Sequence, residues 1–537
     1  MADQSELRRH LAYLQRSVDE DEANEAASSP IFTSSVRTHK PLFPQSALLA
    51  CEVDDYANIG DNIDTRIFYN VAAPSSMFIC GSQGSGKSHT LSCILESCLI
   101  PSEVSDLPRP LTGILFHYDT FISDRGGAPC EAAFLASNPN ASVRVLCPPT
   151  NFRAIQESYR TIPGVTVEML QLNEFDLNTQ RMLDLMAVGD GTLPLYLHVV
   201  QRILREMRLE QQAQPNKFSF NYADFKRRIE AQSLTGQQSS PLQQRLDTLE
   251  SFMVKKHNVS GARDLSGGKQ KKKNTTPMGT DWKPVAGQLT IVDLSCPCVT
   301  PEMACSLFNI CLSLFLEQED PQQQNPGPSS SSSSSPPIGR IVALDEAHKY
   351  MATDETSSSA ECRTLTNTLL STIRLQRHLG VRVVVSTQEP SVSPKLLDLC
   401  SVTVVHRFTS PAWMGMLRAH LAGGVPHHHH HHHQQQQRRR EIAGGGGDDD
   451  DGYVEEGDDS VSGDLFNEIV GLRVGEALLF APSALVGLGM EGGEGGEGGD
   501  ASKRATGMSL KRLGDEVLKI RVRKRITVDG GKSILAA

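Results

Sequence analysis

No stretch of this sequence is apolar for long enough to cross a bilayer. The longest apolar run, Met303 to Leu316, falls short of the roughly 20 residues that a spanning helix needs. It also carries Ser306, Asn309 and Ser313, so it predicts a buried helix and no membrane partner. Aromatic residues are sparse, 5% of 537, as expected of a globular chain diluted by biased tracts. The 12 cysteines stand singly apart from Cys296-Pro297-Cys298. None has the paired spacing of a zinc site, so reduced thiols are expected. The opening MADQSELRRHLAYLQRSVDEDE is charged and lacks the apolar core of a secretory signal. The expectation is a cytoplasmic or nuclear protein, not a secreted one. A net charge of −11 gives no sign of nucleic acid, although acidic tracts such as Asp448–Asp451 can mask a basic face elsewhere.

What is present divides into core-forming segments and tracts that cannot form a core. The length predicts roughly two to four domains. The Gln/Pro/Ser loop at 321–337, the His/Gln/Gly/Asp tract at 423–463 and the Gly/Glu loop at 491–508 bury too little apolar surface to offset the entropy of ordering. They are read as disordered. The seven histidines at 427–433 have metal-binding chemistry, but they run into Gln and Arg and are read as part of the same tract. Between these tracts lie strand candidates: 76–80, 113–119, 143–147, 289–294, 340–345, 381–387 and 402–408. They are continuous apolar runs separated by helical patterns, which predicts a mostly parallel sheet buried on both faces. Thr300 and Pro301 supply a cap and a first-turn proline for the helix that follows. Tyr196, Val199, Val200, Ile203, Leu204 and Met207 recur at helical spacing.

The predicted fold class is therefore α/β, a RecA-like P-loop NTPase with a mostly parallel central sheet, a helical insertion and disordered low-complexity loops. Its segments are 1–40, disordered or partly helical; 41–165, the first part of the core; 166–260, the helical insertion; and 261–284, a basic linker. After these come 285–320, a core strand and helix; 338–422, core; 464–490, a core helix and strand; and 509–537, a C-terminal basic strand. The first 75 or so residues, polar at first, show little strand pattern. Near the C-terminus, Val517, Leu518, Ile520 and Val522 interleave with Lys519, Arg521 and Arg523. That row either lines a pore or meets phosphates, or it belongs to a solvated edge strand protected by charge.

The strongest chemical signal is FICGSQGSGKSHT. Gly81, Gly86, Lys87 and Ser88 fit G-x-x-x-x-G-K-[ST] between a strand and a helix. Glycines at 81, 84 and 86 free the backbone from Gly81 through Ser82, Gln83, Gly84, Ser85 and Gly86 to turn its N–H groups towards an anion. Lys87, Ser88 and His89 open the helix, whose N-terminus adds partial positive charge. Lys87 is expected to reach the β- and γ-phosphates of ATP, and Ser88 to ligate Mg²⁺. Asp345 ends an apolar strand, where a second carboxylate on the metal side belongs; Glu346 is placed to polarise the attacking water. Gln388 ends VRVVVSTQ and suits the polar tip of a strand lying between the P-loop strand and the acidic strand.

Asp345-Glu346-Ala347-His348 spells the name of a helicase class, but no second RecA-like half follows it, and the next strand ends in Ser-Thr-Gln. The DEAH-box helicase reading fails. The stretch DLSGGKQKKKN (264–274) imitates the ABC transporter signature, yet it is far from the acidic strand and Ala347 follows the Glu. It is read as a basic loop.

The order of motifs resembles the HerA–FtsK group of ring ATPases, HerA most closely. The resemblance is carried by FICGSQGSGKSHT, ILFHYDTF, GQLTIVDLS, RIVALDEAHKYM, IRLQRHLGVRVVVSTQEPS and LFNEIVGLRVGEALLFAPSAL. It implies a homo-oligomer, a hexameric ring that couples ATP hydrolysis to threading duplex DNA or another polymer. It also implies an arginine that completes the neighbour's site: Arg377 matches the basic position before the Gln strand, with Arg374 and Arg407 as rivals. Two features of that group, an N-terminal β-barrel and a winged helix, have no visible counterpart. Two other functions stay open. One is a ring that remodels protein or serves a protein effector; the other is a slow nucleotide-dependent switch or scaffold.

Overall fold

The computed structural model of the chain describes residues 24–37, 43–53, 64–120, 127–186, 195–213, 220–232, 234–254, 279–317, 337–352, 359–420, 459–490 and 508–530. The predicted basic linker and the three low-complexity tracts lie for the most part outside the described residues, as do residues 1–23 and the seven histidines.

The described strands belong to one 16-stranded sheet. In chain order they are β1 (Ile31–Thr33), β2 (Ser46–Glu52), β3 (Arg66–Asn70), β4 (Ser76–Cys80), β5 (Ser105–Asp106), β6 (Thr112–His117), β7 (Ser142–Cys147) and β8 (Val165–Met169). They continue as β9 (Gln288–Asp293), β10 (Arg340–Leu344), β11 (Val381–Thr387), β12 (Val402–Val405), β13 (Glu476–Phe480), β14 (Leu485–Met490), β15 (Met508–Arg512) and β16 (Leu518–Val522). The spatial order is β15-β14-β1-β3-β2-β16-β13-β12-β4-β11-β10-β6-β9-β7-β8, with β5 against β2. From β12 to β8 every pairing is parallel. From β12 back towards β3 the strands turn antiparallel.

Both faces of the parallel part are covered, which is why its strands read as unbroken apolar runs. Phe78, Ile114, Phe116, Val342, Leu344, Val383 and Val385 point to one face. There they meet the helices Pro301–Leu316 and Ala360–Arg374 and the helical segments between residues 179 and 252. Met77, Ile79, Leu115, Ile341, Ala343 and Val384 alternate with them onto the other face, against the helix Lys87–Leu99. Each fully buried aliphatic or aromatic side chain contributes about 1.5–3 kcal/mol. Local signals agree with the packing: the Thr300 side chain accepts from the Met303 amide at the start of Pro301–Leu316. Among the described residues no helix is long and apolar enough to cross a membrane.

Three expectations need correction. Helix does not begin at 166, because Val165–Met169 forms β8 on the outer edge of β7. Thr166 and Glu168 face solvent there, so the alternating V-T-V-E-M is a half-solvated edge strand. The segment ahead of β4 is not poor in strands, since it supplies β1, β2 and β3. The basic C-terminal strand is neither a solvated edge nor a free row of cations. β16 lies inside the sheet between β13 and β2.

The arginines around β16 are committed to ion pairs. Arg521 binds Glu476 at 2.8 Å, Arg523 binds Glu96 at 2.7 Å and Arg525 binds Glu131 at 2.8 Å. Glu96 is fully buried in the helix Lys87–Leu99. Its carboxylate also accepts from the Ile526 and Thr527 amides and the Thr527 hydroxyl, at 3.2, 3.1 and 2.5 Å. The residues after β16 are thereby strapped onto that helix. Glu96→Ala leaves the Arg523 guanidinium buried without its partner and is expected to cost about 3–5 kcal/mol, read as a lower denaturant midpoint in equilibrium unfolding.

Candidate active site

The parallel strands β12, β4, β11 and β10 are neighbours in that order, and all four end at the same edge. Register sets their tips level. Cys80, the last residue of β4, pairs with both Val405 of β12 and Thr387 of β11, and Leu344 of β10 pairs with Val385. The next residues of each strand form the site: Gly81 onward, Gln388, Asp345-Glu346 and His406-Arg407.

The loop 81–86 needs its glycines. Gly81, Gly84 and Gly86 have φ of +148°, +72° and +115°, conformations that disfavour a Cβ. At Gly81 a Cβ would also lie 2.7 Å from the His406 Cβ. Ser82 is anchored to β12 through its amide and hydroxyl, both donating to the Arg407 carbonyl at 2.9 Å. Lys87 is buried, and its Nζ donates to the Ser82 carbonyl at 3.0 Å. Burial lowers the Lys87 pKa, while the Glu346 and Asp345 carboxylates oppose that shift. Ser88 follows in the first turn of the helix. His89 is turned away from the loop, with Nε2 at 2.8 Å from the Arg523 carbonyl.

Behind the loop stands a buried histidine with no role in the sequence reading. His406 Nε2 lies 2.9 Å from Thr90 Oγ1, and its Nδ1 lies 2.9 Å from the Glu476 carbonyl. The clue is a polar residue directly ending the apolar run of β12, next to the P-loop strand.

Asp345 and Glu346 are also buried. Asp345 Oδ2 is 3.5 Å from His117 Nδ1 at the end of β6, and its Oδ1 has no hydrogen-bond partner. An unpaired buried carboxylate oxygen fits a cation or its water shell. Oxygen donors suit Mg²⁺, the role expected of Asp345 and of the Ser88 hydroxyl. His117, Cys130 and Asp345 bring ligand atoms within 4.8 Å of one another. Burial alone would push the His117 imidazole down, but the Cys130 sulfur and the Asp345 carboxylate outweigh it and raise it well above its ordinary value. The His117 ring stands directly beside the Asp345 carboxylate, at the buried base of the site.

Glu346 has φ +49°, the single non-glycine positive φ among the described residues. Such a conformation costs about 1–3 kcal/mol and gathers at functional sites. Gln388 follows β11, which lies between the P-loop strand β4 and the acidic strand β10. The fold thus brings the loop 81–88, Asp345, Glu346 and Gln388 to one edge. It does not bring Arg377 there: Arg377 is exposed in the turn Gln376–Leu379 that precedes β11, at the opposite edge. Arg374 sits at that far edge too, whereas Arg407 stands beside Ser82.

No protein-family model matches the sequence, and no curated protein does. Similar solved structures include VirB4 of Thermoanaerobacter pseudethanolicus, at 12% identity over 81% of this chain and 93% of that one, TM-score 0.39. B204, the DNA-packaging ATPase from Sulfolobus turreted icosahedral virus, gives 8% identity over 76% and 92%, TM-score 0.26. The genome packaging NTPase B204 of Sulfolobus turreted icosahedral virus 2 with AMPPCP gives 7% over 76% and 92%, TM-score 0.25. Scores of this size do not establish a common fold.

Burial pushes the His406 imidazole down to about 4, against the usual 6.5, despite the Glu476 carbonyl. The unfolded chain takes up that proton first. The resulting stability is whole above about pH 6.5 and is lost as pH falls towards about 4, by about 2 kcal/mol between pH 7 and pH 5. His406→Gln is expected to flatten this part of the pH dependence, measured as denaturant midpoints at the two pH values.

Proposed function

We propose that the chain is an ATP hydrolase with a RecA-like P-loop core. The observation that carries this reading is the meeting of Lys87, Asp345, Glu346 and Gln388 at one strand edge, with a single strand between the P-loop strand and the acidic strand. The backbone N–H groups from Gly81 to Gly86 and the helix N-terminus bind the phosphates of ATP. Lys87 leaves the Ser82 carbonyl for the β- and γ-phosphates. Ser88 and Asp345 hold Mg²⁺, which when bound neutralises charge on the phosphate oxygens. Glu346 accepts a proton from the attacking water, and Gln388 hydrogen-bonds water or the γ-phosphate.

In keeping with the resemblance to HerA, six copies form a ring that uses this turnover to move DNA. An arginine from one subunit then stabilises charge in the next subunit's site, a contribution of about 10³–10⁵ in rate in related NTPases. Arg377 fills that role in trans, since it lies away from its own phosphate loop. The strap after β16 leaves Arg523 and Arg525 bound within the subunit, so they are not the row that meets DNA.

Lys87→Ala is expected to abolish binding of a fluorescent ATP analogue. Glu346→Gln is expected to keep binding and to lose about 10²–10⁴-fold in kcat. Steady-state ATP hydrolysis with and without duplex DNA tests the rest. Stimulation by DNA that disappears in Glu346→Gln supports the motor. Turnover indifferent to DNA removes DNA from the reading and points to a protein substrate or effector. A Glu346→Gln protein as fast as wild type overturns the assignment of the base.

A further inference from the structure

The histidine of the acidic motif has no part in the steps above, yet it lies between the two groups that flank the attacking water. Glu346 leaves β10 in a left-handed conformation, and the turn Ala347–Lys349 follows at once, closed by the Lys349 amide donating to the Glu346 carbonyl at 2.9 Å. This tight reversal carries the His348 ring back alongside the end of β11. There the Gln388 backbone N–H donates to His348 Nδ1 at 3.3 Å. A ring nitrogen that accepts from an amide carries no proton, so in the neutral ring the proton is on Nε2.

Nε2 faces Glu346 Oε2 at 3.5 Å. That oxygen is buried and has no hydrogen-bond partner. The separation is long for a hydrogen bond, as catalytic contacts often are before substrate binds. The other end of the chain of contacts is rigid: Trp413, 2% exposed, donates its indole N–H to the Gln388 carbonyl at 2.8 Å. Trp413, Gln388, His348 and Glu346 thus form one line, running from the packed core to the carboxylate.

We propose that His348 is a positioning residue for Glu346, holding Oε2 through Nε2–H while the Gln388 backbone N–H grips Nδ1, so that the base and the Gln388 turn move together. The inference rests on the ATPase reading. Burial lowers the His348 pKa, with the Glu346 carboxylate opposing it; a neutral ring at pH 7 agrees with the assigned tautomer. With Glu346 in a costly backbone conformation, a second tether fixes which way its carboxylate points. Removing the tether leaves ATP binding in place and spoils the alignment of the water.

The test uses the purified full chain and four variants: His348→Ala, His348→Gln, Glu346→Gln and the double variant His348→Ala/Glu346→Gln. His348→Leu accompanies them as a ring-sized residue that neither accepts nor donates. His348→Ala and His348→Leu are expected to lose about 10–100-fold in kcat, by analogy with loss of a partner that orients a metal ligand. KM for ATP and affinity for a fluorescent ATP analogue are expected to stay within about twofold. His348→Gln, whose amide can still donate to Oε2, is expected to recover part of the rate. The double variant is expected to be no slower than Glu346→Gln alone, because a residue acting through Glu346 has nothing left to act on. Wild-type kcat in both His348→Ala and His348→Leu overturns the proposal. So do a loss of analogue binding equal to the loss of rate, and effects that multiply in the double variant. If wild type hydrolyses no ATP, or Glu346→Gln keeps its rate, the ATPase reading falls and this inference falls with it. If turnover needs Glu346 but not His348, this inference alone fails.

Discussion

Parallel pairing of β12, β4, β11 and β10 is the constraint on which everything at the site depends. Lys87, Glu346, Gln388 and His406 are scattered over most of the sequence. They meet because four strands end at one edge in fixed register. A slip of one residue would turn every side chain of a strand to the other face, exchanging, for example, Val383 and Val385 with Val384. Both faces are apolar there, so what opposes the slip is the shape of two packed cores rather than solvent exposure. The tips of the strands inherit their positions from that packing.

The edge gathers groups that are expensive to bury. Lys87, Asp345 and Glu346 are all nearly inaccessible, and the two carboxylates each keep an oxygen without a hydrogen-bond partner. Unpaired buried oxygens cost free energy. Glu346 adds backbone strain to that cost. A site built only for stability would have neither, and both fit a place that becomes satisfied when phosphate, cation and water arrive. The surroundings that hold these groups in place are apolar and rigid: β10 and β11 are buried along their whole length.

Strand sequences with both faces covered were legible, because a continuous run of Val, Ile and Leu needs no partner to be recognised. The turn at 81–86 was legible for a different reason: its glycines, all at positive φ, stand at the fixed spacing of a known motif. The strand between β4 and β10 was anticipated from the chemistry that Gln388 offers. Three kinds of feature were not legible. β2, β3 and β8 pair at half-solvated or antiparallel places, where polar residues interrupt the pattern. β16 looked exposed because its cations mark it as polar, and their partners Glu476, Glu96 and Glu131 come from far away in the chain. His406 and His117 become meaningful only when folding sets them beside Thr90 and Asp345.

The placement of β16 bears on how the protein is made. β2 pairs with β16, and β16 pairs with β13; no other described strand joins the N-terminal strands β1 to β3 to the parallel part. Chains emerge from the ribosome at about 5–20 residues per second, and domains tend to fold as they emerge. The parallel strands from β4 to β12 can associate during that time. β1 to β3 come out first, yet the gap between them and the sheet stays open until residue 522 has been translated. Until then the antiparallel edge of the newborn protein is unpaired, and closing it is a contact of very long sequence separation, the kind that folds slowly. The sheet therefore becomes continuous only when nearly the whole chain has been made, and its earliest strands wait for one of its last.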